Sequence, residues 1–180
     1  GGGGGGGGLA CLSFSLAWGG TVRLMVPSPA GPAGFERVPS GVTGITFTNT
    51  LSDLQIATNR LLEDGAGVAL GDMDGDGRCD LYFCSLSGAN RLYRNRGEWK
   101  FEDVTDSAGV RCEGQSSTGA VWADVDADGD LDLLVSSFGG GVRLFRNEGM
   151  GRFAEVKESG LHRGFGSHSM ALADVDGDGD

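Results

Sequence analysis

An aspartate-rich nonapeptide occurs three times in this chain at a nearly even period, and no other feature constrains the fold as strongly. The copies are Asp72-Met-Asp-Gly-Asp-Gly-Arg-Cys-Asp80, Asp124-Val-Asp-Ala-Asp-Gly-Asp-Leu-Asp132 and Asp174-Val-Asp-Gly-Asp-Gly-Asp180. Their first aspartates lie 52 and then 50 residues apart. A fixed period of this size marks a tandem supersecondary unit that buries its apolar faces by stacking on its neighbours. An acidic, solvated turn is the plain alternative, but it does not account for two complete copies and a partial third at one period.

The loop itself reads as a calcium cage. Carboxylates at positions 1, 3 and 5 converge when glycine lets the backbone curl, and Gly75, Gly77 and Gly129 supply that freedom. The candidate ligands are Asp72, Asp74, Asp76, Arg78 (by its carbonyl) and Asp80 in the first loop. In the second they are Asp124, Asp126, Asp128, Asp130 (by its carbonyl) and Asp132, and in the third Asp174, Asp176, Asp178 and Asp180 (by its carbonyl). The donors are hard oxygens with no His or Cys among them, which favours Ca²⁺ over zinc or copper, one ion per loop. Two carboxylates ~4 Å apart repel by about 4 kcal/mol at an effective dielectric of 20, so metal binding and local folding are expected to be coupled. An EF-hand is excluded, because position 12 is Phe83 or Val135 instead of Glu and the flanks are strand-like.

Aligned on the loop, each period has four apolar runs joined by glycine-containing turns. In the first period they begin at Gly67, Asp80, Asn90 and Lys100; in the second, at Gly119, Leu131, Gly141 and Arg152. Four strands in about 50 residues match one blade of a propeller. The fold class expected is therefore all-β: a partial β-propeller of four-stranded antiparallel blades with calcium loops between strands 1 and 2. The domain reading is a Gly run and apolar leader or linker over 1–34, an N-terminal strand and excursion over 35–66, blades over 67–113 and 114–162, and the start of a third over 163–180. A helix or excursion loop is expected over 51–63, and residues 35–38 read as a strand that closes the ring of a larger propeller. Two blades and part of a third leave an open arc with one apolar face bare.

Composition bounds the partners. The net charge is −11, yet 13 of the 25 acidic residues lie in the three loops, leaving 12 against 14 basic residues. The acidity belongs to the metal sites, and no nucleic-acid partner is expected. Residues 1–8 are all glycine, and no initiator methionine is present, so both ends read as those of a fragment. The apolar run over 9–18 is too short to span a membrane and fits a signal-peptide core with Ser15-Leu-Ala17 as a small-residue cleavage site; a bland apolar stretch is the alternative. Cys79 and Cys84 point to opposite faces of one strand, while Cys112 either pairs with one of them or stays free.

These residues resemble a known family. Asp-x-Asp-Gly-Asp-Gly-x-x-Asp between two strands, then Leu-(Tyr/Phe)-Arg-Asn and Arg/Lys-Phe-x-(Asp/Glu)-Val, is similar to the FG-GAP/VCBS repeat of integrin α-like propellers. Ser117-Thr-Gly-Ala-Val-Trp-Ala-Asp124 and Gly44-Ile-Thr-Phe-Thr-Asn49 resemble the bacterial relatives of cartilage acidic protein, of the ASPIC/UnbV type. The resemblance implies the calcium ligands named above. It also implies an extracytoplasmic binding or adhesion scaffold, secreted or at the cell surface, whose partner is an extracellular protein or glycan. Ala127 departs from the glycine at position 4. The alternative reading is a propeller-based secreted lyase or hydrolase, or its accessory domain. No catalytic set supports it: His162 and His168 are the only histidines, and no carboxylate outside the loops has a matching partner at a suggestive spacing.

Overall fold

The computed structural model describes residues 10–15, 21–26, 36–161, 167 and 169–173. The chain divides into two compact units, Gly1–Arg37 and Val38–Asp180. In the first, strands β1 (Ala10–Ser15) and β2 (Thr21–Val26) pair antiparallel, with Ala10 opposite Val26. The apolar run over 9–18 thus contributes a hairpin strand.

The second unit holds two four-stranded antiparallel sheets, each a meander in sequence order. One comprises β3 (Val68–Gly71), β4 (Asp80–Phe83), β5 (Arg91–Asn95) and β6 (Phe101–Asp103); the other comprises β7 (Ser116–Ala123), β8 (Asp132–Phe138), β9 (Gly141–Asn147) and β10 (Phe153–Glu155). These are two blades of the expected all-β kind. Gly71 pairs with Asp80 and Ala123 with Asp132, so each acidic loop closes the first hairpin of its blade with position 9 in the ladder.

The fourth strands are three residues long, shorter than the apolar runs around them. In the first blade Thr105 ends the strand. Its backbone N–H donates to Asp103 Oδ1 at 3.0 Å, and its hydroxyl accepts from Leu92 N–H at 2.9 Å. The side chains therefore take over bonds the ladder would have made, and α3 (Thr105–Ala108) follows, closed by Gly109 at φ 77°. The same device precedes the blades: α1 (Ser40–Thr43) ends at Gly44 with φ 75°. Residues 36–39 are not in a strand. Within 51–63 lie α2 (Asp53–Thr58), capped by a reciprocal Ser52–Gln55 box, and the start of a 3-10 turn, Arg60–Asp64.

The core lies between the blades. Tyr82, Cys84, Leu92 and Ala69 of the first pack against Leu133, Val135 and Phe145 of the second, with Trp122 and Phe153 at its margin. Tyr82 donates its buried hydroxyl to the Val110 carbonyl at 2.7 Å and accepts from Asn90 Nδ2 at 2.8 Å. Backbones approach closely along the inner strands. A methyl at Gly71 would stand 2.6 Å from Trp122 Cδ1, so the indole fits only because that position has no side chain. The opposite face of the first blade is partly covered by the preceding segment, where Phe47 stacks on Phe83 at 5.1 Å. Its edge is bare: Val68 is 50% and Leu70 61% exposed.

Cys79, Cys84 and Cys112 are free thiols, which resolves the pairing left open by the sequence. Burial pushes the Cys84 thiol up to about 12 and raises Cys112 as well, so both are inert core residues. Residues 169–173 carry no strand, and the loop at 174–180 together with His162 and His168 lies outside the described residues. The expected start of a third blade therefore lies largely beyond what is described.

Candidate metal centre

The two described acidic loops fold alike. Position 1 stitches the loop closed: Asp72 accepts from Asp76 N–H at 3.1 Å and Gly77 N–H at 2.7 Å, and Asp124 accepts from Asp128 N–H at 3.2 Å and Gly129 N–H at 2.9 Å. Position 5 turns back on position 7, with Asp76 Oδ1 taking Arg78 N–H at 3.0 Å and Asp128 Oδ1 taking Asp130 N–H at 2.9 Å. These bonds require left-handed backbone at position 4, where Gly75 has φ 71° and Ala127 has φ 58°. The alanine noted as a departure thus adopts the glycine conformation at a steric cost.

Position 9 is a buried clamp. Asp80 is fully buried and accepts Met73 N–H at 3.0 Å through one oxygen and Asn95 N–H at 2.7 Å through the other. Asp132, equally buried, repeats this with Val125 N–H at 3.0 Å and Asn147 N–H at 2.7 Å. Each asparagine in turn ties down the loop exit: Asn95 Nδ2 donates to the Cys79 carbonyl at 3.0 Å, and Asn147 Nδ2 to the Leu131 carbonyl at 3.1 Å. The Arg-Asn pair that recurs at 94–95 and 146–147 was visible in the sequence, but its role in bracing the loop was not.

The carboxylates converge. Asp72, Asp74 and Asp80 bring oxygens within 4.8 Å of one another in the first loop, and Asp124, Asp126 and Asp128 do so in the second. Asp76 is not in the first set, and its Oδ2 lies 2.9 Å from Arg78 Nη1. Asp74 is the telling residue. Its side chain is 3% exposed, and its carboxylate meets the Arg94 guanidinium as an ion pair without an aligned hydrogen bond. Arg94 also lies 3.5 Å from Asp76. Arg146, in the same place in the second blade, is 3.8 Å from Asp126.

Repulsion and burial leave a mark on ionisation. Asp80 is raised above the ordinary aspartate value, first by burial, against the two backbone donors that lower it. Asp126 is raised by desolvation and then by the charges of Asp128 and Asp132. Buried or crowded carboxylates with open lone pairs suit a hard dication, which would satisfy Asp74 and offset the repulsion. The donor set fits calcium. Asp72, Asp74, Asp76 and Asp80, and their counterparts Asp124, Asp126, Asp128 and Asp132, are the residues that would hold it.

Both described acidic loops fall within stretches that match the FG-GAP-like repeat, over residues 72–135 and 124–180. The chain belongs to this family. Cartilage acidic protein 1 of Xenopus tropicalis is 28% identical over 117 residues, and those of Homo sapiens and Mus musculus are 29% and 28% identical over the same length. The aligned part covers 63% of this chain and 18% of each relative, so the chain spans under a fifth of the proteins it matches. No helix among the described residues is long and apolar enough to cross a membrane.

Proposed function

We propose that this FG-GAP-like segment is a calcium-braced binding scaffold that works outside the cytoplasm. The observation that carries the reading is the convergence of Asp72, Asp74 and Asp80, with Asp74 buried and met by the single guanidinium of Arg94. One monovalent cation does not balance three carboxylates, and a divalent ion would offset the remaining repulsion. The loop is otherwise tied by its own backbone donors, so calcium would brace an existing hairpin turn and thereby the seam between blades.

With the carboxylates taken up as ligands, no acid–base pair is left in the loops for chemistry. The likeness to cartilage acidic protein 1 and the short apolar run over 9–18 support an extracytoplasmic place, secreted or at the surface. There calcium is abundant enough for sites with dissociation constants of about 10⁻⁴–10⁻³ M. The partner would be an extracellular protein or glycan met by surface loops.

Thermal unfolding of the whole chain in chelator and then in millimolar calcium tests the reading. The scaffold reading expects calcium to raise the melting temperature by several degrees, with no effect of equal potassium chloride. An identical melt in both media would overturn it.

A further inference from the structure

The two loops share one backbone but not one charge balance. The first has four aspartates, Asp72, Asp74, Asp76 and Asp80, faced by two guanidiniums. Arg94 pairs with Asp74 and lies 3.5 Å from Asp76, and Arg78 holds Asp76 at 2.9 Å. The second has five, Asp124, Asp126, Asp128, Asp130 and Asp132, and among the described residues one guanidinium in ion-pair contact, the more exposed Arg146, at 3.8 Å from Asp126. Position 7 reverses its charge between them, Arg78 in one loop and Asp130 in the other.

We propose that Arg94, helped by Arg78, is a tethered counter-ion of the first loop, which keeps that loop folded without metal and lowers its affinity for calcium, so that the second loop loads first. This rests on the calcium reading above and adds an order of loading to it. The physical reason is that a fixed positive charge beside Asp74 and Asp76 does part of what the ion does and repels the ion besides. Arg94 is only 30% exposed, so water screens it incompletely. One guanidinium does not neutralise the converging carboxylates of Asp72, Asp74 and Asp80, so the place remains one that calcium can claim.

The amides of Gly77 and Gly129, each donating to the first aspartate of its own loop, give one reporter per site. Calcium chloride is titrated into the ¹⁵N-labelled full chain while both amide signals are followed. Gly129 is expected to saturate at lower calcium than Gly77. Arg94→Gln is expected to move the Gly77 midpoint to roughly tenfold lower calcium, leave the Gly129 midpoint in place, and lower the melting temperature in chelator. Arg78→Gln, on a more exposed side chain, should act in the same direction, and Asp130→Arg should weaken the Gly129 site. If Gly77 and Gly129 respond together, or if both glutamine variants leave the Gly77 midpoint unchanged while calcium still binds, the counter-ion proposal is wrong and the calcium reading stands. If neither amide responds well above millimolar calcium, the calcium reading itself falls and this proposal with it.

Discussion

Asn147 donates its side-chain amide to the backbone carbonyl of Met73 at 2.8 Å, across the seam between the two blades. The same amide reaches the Leu131 carbonyl, and the Asn147 N–H is held by Asp132. One side chain thus links the acidic loop of the first blade to that of the second. Because Asn147 is buried, its loss strands acceptors on both sides. Asn147→Ala is expected to destabilise the chain by about 2–3 kcal/mol, in chelator as in calcium. Urea unfolding in the two media checks this; a cost seen only in calcium would show the bridge to depend on the metal.

Position 9 and position 3 of the loops should behave differently when neutralised. Asp80 is a clamp for two backbone donors, so Asp80→Asn faces an amide group toward an N–H and is expected to cost about 1–3 kcal/mol with or without calcium. Asp126 is exposed and repelled by its neighbours. Asp126→Asn is expected to raise the melting temperature in chelator and to lower it in calcium. The crossing of the two melts is the measurement, and parallel shifts for both variants would contradict the division of roles.

Acidity should act with opposite sign in the two media. Asp80 and Asp126 both sit above the ordinary aspartate pKa of 3.8. A group whose folded value is raised contributes stability that is complete below its unfolded value and is lost as pH rises through the folded one. In chelator, therefore, lowering the pH toward the region just above the ordinary aspartate value relieves the fold, and the melting temperature rises. In calcium the protons compete with the ion for the same oxygens, and the melting temperature falls. Melts between about pH 7 and 4.5 in both media decide the signs.

Ala127 pays for a glycine's geometry. Its φ of 58° matches the 71° of Gly75 in the sister loop. Ala127→Gly is expected to stabilise the chain by about 1 kcal/mol, and Gly75→Ala to destabilise it by a similar amount, read by chemical denaturation.

Much of this was legible in the sequence because side-chain type and spacing alone decide it. Alternating aspartates with glycines at 75, 77 and 129 specify the loop, and four apolar runs per period specify the blade. What escaped the reading depends on register. Leu81 opposite Tyr93 brings Arg94 against Asp74, a pairing fixed only once the hairpin forms. Position 9 read as a ligand like the others, whereas its burial in the ladder makes it first an acceptor for two N–H groups. The end of the fourth strand in the first blade is likewise set by side chains, since Asp103 and Thr105 take over its last bonds.

The void at Gly71 that receives the Trp122 indole gives the tandem units a keyed order. At the matching place the second unit carries Ala123, whose methyl would collide with an indole seated in the same way. A duplicate of the second unit could not follow itself without shifting that ring. Near-identical repeats run the hazard of shuffling and cross-molecule exchange, and a single absent methyl at Gly71 makes the first unit the one that fits the Trp122 indole.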